Sequence, residues 1–265
     1  MGVVRKSGAW ERAYRAVWRR EEKFLRRYKG PGRNALERKI EERVPEKLLE
    51  TLHAAFVKAF GLVFEKGTGV IAGAGRLEER QRTFQVNAYA ADLREDRRTL
   101  RAFSREAARA GRGNVLLSGA AGVGMGLFGV ALPDIPLFTA MLLKALYETA
   151  ESFGFDHSSP SEQLYILRLL EAAMSDGDDL RRKNQALDVF AQTGAWPEES
   201  DLKHQMEATA RRLSEALLCG KAVQNIPLVG AVGGAEDAAI MDRARRYAAI
   251  KYEKRFLLRR RLERD

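Results

Sequence analysis

The side chains in this sequence that could do acid–base, nucleophilic or metal chemistry are few and scattered. The three histidines, His53, His157 and His204, lie far apart. They lack the H-x-x-x-H or H-E-x-x-H spacing that sets two imidazoles on one helix face for zinc. Asp156-His157 has the residue types of an acid/base pair, but adjacent side chains in a loop rarely face each other. Asp176-Gly177-Asp178-Asp179 is too short for a calcium loop, which spreads its oxygens over about 12 residues, and it reads as a turn and helix cap. Cys219, the single cysteine, lies in Leu-Leu-Cys-Gly and reads as an inert thiol; one cysteine also builds no disulfide framework. There is no G-x-S-x-G elbow. Gly124-Met125-Gly126-Leu127-Phe128-Gly129 has the G-x-G-x-x-G spacing but neither the preceding strand nor the later acidic residue of a dinucleotide site. A non-enzymatic protein without metal or cofactor is the expectation.

The elements that would position these residues read as helices almost throughout. Trp10, Tyr14, Val17, Trp18, Leu25 and Tyr28 share one face of a first helix, which Gly30-Pro31-Gly32 ends. A second helix spans 46–64 with Pro45 in its first turn. A Gly-rich connector (67–75) and an Arg-rich helix (83–110) follow. Further helices are expected over 160–174, 177–193 and 198–220. A last one spans 236–263, with Ile240, Ala244, Tyr247, Ala248, Tyr252 and Phe256 as its stripe. Period-2 strand patterning is nearly absent. The expected fold class is all-α: one multi-helix domain (46–265) around a central Gly/Ala-rich hairpin, preceded by a basic amphipathic region (1–45).

That hairpin is the unusual part. Residues 115–132 carry no charge, and five of these 18 are glycine. As a helix they would measure about 27 Å, just under the roughly 30 Å hydrocarbon core. The glycines remove about 5 kcal/mol from an isolated helix, which close backbone packing must offset. Ser118, Gly122 and Gly126 recur every fourth residue, a face on which two helices can touch. Pro133-Asp134-Ile135-Pro136 breaks the run, and an apolar helix resumes over 137–155. Three arrangements stay open: a buried hairpin in a bundle, a membrane-inserted or re-entrant hairpin, and a nucleotide loop. Asn225-Ile226-Pro227-Leu228-Val229 echoes Asp134-Ile135-Pro136-Leu137-Phe138, with Gly230, Gly234 and Ala238 again at every fourth position. Both read as helix starts with Asp or Asn as cap. Their functional reading is an apolar, glycine-lined crevice holding a ligand through Gly122, Gly126, Asp134, Asn225, Gly230 and Gly234.

Charge is uneven along the chain. The net formal charge of +10 divides into +7 over residues 1–50, +4 over 51–110, −6 over 111–180 and +5 over 181–265. Apolar residues make up 45 %, too many for a disordered chain. The basic ends suit phosphates, whether of lipid or nucleic acid. No zinc-finger, RNP or helix-turn-helix signature argues for nucleic acid. The tail 251–264, with Lys251, Lys254, Arg255, Arg259, Arg260, Arg261 and Arg264 around Phe256, Leu258 and Leu262, suits an anionic membrane surface. The charged opening segment has no apolar stretch for secretion, and Lys6 stands where N-myristoylation needs Ser or Thr. A cytoplasmic location, peripheral to the inner face of the membrane, is expected.

The run from Gly119 to Asp156, with Leu132-Pro-Asp-Ile-Pro136 and Ser152-Phe-Gly-Phe-Asp156, resembles the EcsC family. The segment 225–234, followed by the Arg/Ala/Tyr pattern of 242–252, is similar to that family's second signature. The resemblance covers roughly residues 83–260, with Phe153 where the family has Tyr; residues 1–45 carry no signature. It implies a bacterial, membrane-adjacent protein associated with ABC-transporter genes, and supplies no chemistry. Two functions follow: an accessory protein engaging anionic lipid or an ABC-transporter-type membrane protein, or a soluble helical module holding a lipid tail.

Overall fold

A computed structural model describes residues 8–30, 46–66, 135–198, 201–223 and 233–262. Among them are seven helices and no strand: α1 (Ala9–Arg27), α2 (Glu46–Lys66), α3 (Ile135–Glu151), α4 (Pro160–Ala173), α5 (Gly177–Thr193), α6 (Leu202–Val223) and α7 (Gly233–Leu262). The all-α expectation holds. The first half of the proposed hairpin (115–132), the connector 67–75 and the expected helix 83–110 lie outside the described residues.

Local chemistry sets most boundaries. Ser159 caps α4 by accepting a hydrogen bond from the Glu162 backbone N–H, with Pro160 in the first turn. Asp201 does the same for α6, its Oδ1 accepting from the His204 N–H at 2.6 Å. That cap explains why the helix begins at 202 and not at 198. Gly194, at φ +73°, ends α5 in the left-handed region, its N–H donating to the Phe190 carbonyl at 2.8 Å. The apolar helix expected over 137–155 stops at Glu151. Gly154 takes φ +75°, a backbone that a helix does not accommodate, and the chain turns a corner there. Phe153 and Phe155 on either side are buried. Phe153 packs 6.4 Å from Phe256, and Phe155 lies 5.5 Å from Tyr252 (centroid distances). The aromatic-Gly-aromatic step is thus a corner plugged into α7.

Helix α7 is the hub, packing against α1, α3, α4, α5 and α6. Its expected stripe, from Ile240 to Phe256, is buried at every position. Tyr247 stacks on Phe24 of α1 at 4.8 Å, and Tyr252 meets Tyr165 of α4 at 5.4 Å. Helices α2 and α3 add a flank in which Phe56 meets Phe138 edge-on at 6.2 Å. No helix among the described residues is long and apolar enough to cross a membrane.

Candidate functional site

Most of the charged residues of α7 before residue 256 point inward. Lys251 is only 1 % exposed and Lys254 is also buried. Glu21 of α1 and Asp188 of α5 each span both ammonium groups. Lys251 Nζ lies 2.8 Å from Glu21 and 2.5 Å from Asp188; Lys254 Nζ lies 2.5 Å from Glu21 and 2.9 Å from Asp188. Asn184 adds two further oxygens to Lys251 and accepts the Tyr247 hydroxyl proton at 2.7 Å. The result is a neutral square of two acids and two lysines joining three helices. Burial works against the Lys254 charge, yet Glu21 and Asp188 hold its pKa above the ordinary value.

One turn on, Arg255 Nη1 donates to both Glu162 oxygens at 2.8 and 2.7 Å, and Tyr252 donates to Glu162 at 2.7 Å. The Arg255 guanidinium lies over Phe155, Tyr165 and Phe190 at 4.3, 4.4 and 5.2 Å. Burial raises the Glu162 carboxyl above its ordinary range against the opposing pull of Arg255 and Tyr252.

The expected membrane face of the tail is therefore corrected for three residues. Lys251, Lys254 and Arg255 face the protein interior, because carboxylates from α1, α4 and α5 meet them there. Arg259 and Arg260 are half-buried, lying over Phe155 and Phe256. Arg261 is exposed beside Leu262, while Arg264 lies outside the described residues.

A basic surface does form, but α1 supplies most of it. Helices α1 and α7 run antiparallel, since Trp10 meets Phe256 while Phe24 meets Tyr247. Val17, Glu21, Phe24 and Leu25 face inward. Arg12, Arg15, Arg19, Lys23 and Arg26 recur every three or four residues and are exposed. Trp18, on the adjoining side of the helix toward α7, is 52 % exposed, with Lys254 5.3 Å from its ring centroid. The start of α1 shares one end of the molecule with Arg261 and Leu262.

A cavity of about 450 Å³ opens between α4, α5 and α6. Lys183 on its wall is held by Glu171 and by Asp179, each at 2.8 Å. Gln205 Nε2 donates to the other Glu171 oxygen at 2.7 Å. Asp179 also binds Arg212 at 2.5 Å. Despite the burial that opposes its charge, hydrogen bonds from Lys183 and Arg212 hold its pKa well below the carboxylate range. Asp179 is thus the centre of an ion cluster, a role beyond the turn expected of Asp176–Asp179. The Arg168 guanidinium lies 4.3 Å over Trp196, which stacks on Phe190 at 4.1 Å. Burial lowers its pKa.

Glu151, Asp156 and His157 each bring one ligand atom within 4.8 Å of the others, a spacing that a divalent cation could bridge. Their observed partners are protein groups. His157 Nδ1 lies 2.7 Å from Glu151, and its ring stacks on Tyr147 at 4.4 Å. Asp156 accepts from the Ser158 backbone N–H and hydroxyl, which lowers its pKa. This trio ties the α3–α4 corner.

Of the glycine-crevice candidates, Gly122, Gly126, Asp134, Asn225 and Gly230 lie outside the described residues; Gly234 lies in the first turn of α7. Sequence reasoning missed Glu21, Glu162, Asp179 and Asp188 as partners. Their only sequence signal is acidic residues on otherwise apolar or basic helix faces.

No curated protein and no solved structure gives a significant match to this chain. Its sequence does match the EcsC protein family, over residues 9–257. That span begins with α1 and includes the 153–156 corner, the cavity and the inward-facing charges of α7. The chain belongs to the EcsC protein family.

Proposed function

We propose that this chain is a non-enzymatic accessory protein that docks on the anionic inner face of a membrane, beside a transport protein of the ABC type. The observation that carries the reading is the outer face of α1, which bears five exposed cations, 12, 15, 19, 23 and 26, with the exposed Trp18 on the adjoining side of the helix. Tryptophan favours the membrane–water interface. Cations contribute about 1 kcal/mol each near an anionic leaflet at moderate salt. Arg15 and Arg26 are each shared with a glutamate on the same helix, Glu11 and Glu22, so three net charges on α1, joined by Arg261 at the same end, are engaged. That corresponds to about 3–4 kcal/mol, enough for reversible peripheral attachment and too little for permanent anchoring. Family membership supports a membrane-adjacent role, and the exposed Arg261-Leu262 end adds to the same surface.

Flotation of the full chain with phosphatidylcholine vesicles, with and without phosphatidylserine, tests this. Binding to the anionic vesicles alone, weakened by salt and lost on combined Arg12→Glu, Arg15→Glu and Arg19→Glu exchange, is expected. Absence of binding at low salt, or equal binding to neutral vesicles, overturns it.

A further inference from the structure

We propose that the cavity between α4, α5 and α6 binds a small organic phosphate, its phosphoryl group seated on the guanidinium of Arg168. The cavity volume of about 450 Å³ falls within the roughly 300–1,000 Å³ of small-molecule sites. Arg168 differs from its neighbours. Lys183, Arg212, Arg243 and Arg255 each reach a carboxylate within 3.0 Å. Arg168 instead donates from Nη2 to the Glu198 backbone carbonyl at 2.9 Å, and its Nε is buried without a hydrogen-bond partner. Glu171 and Glu198 act on it only through longer-range attraction, and Glu171 is already taken by Lys183 and Gln205. A planar guanidinium with no carboxylate on its fork is suited to bidentate phosphate recognition.

The group is also oriented in advance. Trp196 and the Glu198 carbonyl fix its plane, and Phe190 backs Trp196. Such preorganisation lowers the ordering cost of binding. Three cations line the cavity, Arg168, Arg182 and Lys183, against the carboxylates of Glu171 and Glu198, with His204 at the rim. Arg182 and Lys183 are each paired with Asp179, and Lys183 also with Glu171, so Arg168 is the lining cation without a carboxylate of its own to offer the roughly −1.5 to −2 charge of a phosphate monoester. Leu187, Val189 and Ala208 supply an apolar wall for the organic part. This site is separate from the outer face of α1, so it stands or falls independently of membrane docking.

Calorimetric titration of the full chain with phenyl phosphate, and with monomeric dioctanoyl phosphatidic acid, tests the proposal. Saturable one-to-one binding is expected for at least one probe, weakened about ten-fold or more by Arg168→Gln. Arg168→Lys keeps the charge over Trp196 but loses the fork, and serves if the glutamine variant unfolds; it too is expected to weaken binding. Binding should persist in the Arg12/Arg15/Arg19→Glu protein. Preference for phenyl phosphate points to a free metabolite, and preference for phosphatidic acid to a lipid headgroup. No binding of either probe, or binding unchanged in both Arg168 variants, overturns the proposal.

Discussion

Replacing Lys251 by Met removes one corner of the buried ion square while roughly keeping side-chain volume. In the native protein Lys251 Nζ has four oxygen neighbours: Glu21 at 2.8 Å, Asp188 at 2.5 Å, and the Asn184 carbonyl and amide oxygens at 3.3 and 3.1 Å. After the exchange, two carboxylates share the single ammonium of Lys254, and a net negative charge is left in a site buried at Glu21 and part-exposed at Asp188. Breaking a buried pair in this way costs about 3–5 kcal/mol. At about 2–4 °C per kcal/mol for a chain of this size, Tm falls by roughly 6–20 °C. The Glu21→Gln, Lys251→Met double variant is again neutral. Its cost should fall below the sum of the two single costs by about 1–3 kcal/mol. Urea unfolding followed by circular dichroism measures all three variants. The reasoning fails if Lys251→Met costs under about 1 kcal/mol, or if the single costs simply add.

Further outcomes follow from the same geometry. Arg255→Met strands the buried Glu162 carboxylate and is expected to cost about 3–5 kcal/mol in unfolding free energy, with anionic-vesicle binding of the folded fraction unchanged. Gly154→Ala forces a side chain into the left-handed region at φ +75° and should cost about 1–2 kcal/mol in the same assay. The Asp179 carboxyl is depressed below its ordinary value of 3.8. Its stabilisation is therefore complete above that pH and is lost as pH falls through the lower folded-state value. An Asp179→Asn protein should show a shallower loss of stability between pH 4 and pH 2 than the native chain. Trp18→Ser, which loses the contact with Lys254, should cost about 0.5–1 kcal/mol in unfolding and weaken vesicle flotation of the folded protein.

Much of the helical framework is legible in the residue order. Gly194, Pro160 and the 240–256 stripe mark ends and faces through local backbone preference and a 3.6-residue period, and these are properties of adjacent residues. The misplaced ends have local causes that outweighed periodicity: Gly154 closes α3 and Asp201 opens α6. The charged residues were the least legible. Lys251, Lys254 and Arg255 lie in a basic run that reads as a solvated or lipid-facing surface. Nothing in their spacing indicates that Glu21, 230 residues away in sequence, and Asp188 stand opposite.

The sequence by itself determined the all-α class, the position of most helices and the EcsC membership, because caps, periodicity and motifs are encoded over a few turns. Only the tertiary structure decided which charges are internal and which stay exposed. A buried lysine is tolerable only where acids from other helices meet it, and that condition depends on the packing of α1, α5 and α7. The same packing turned Lys251, Lys254 and Arg255 of the tail inward while the cations of α1 stay exposed, and it left Arg168 in the cavity wall without a carboxylate within salt-bridge reach.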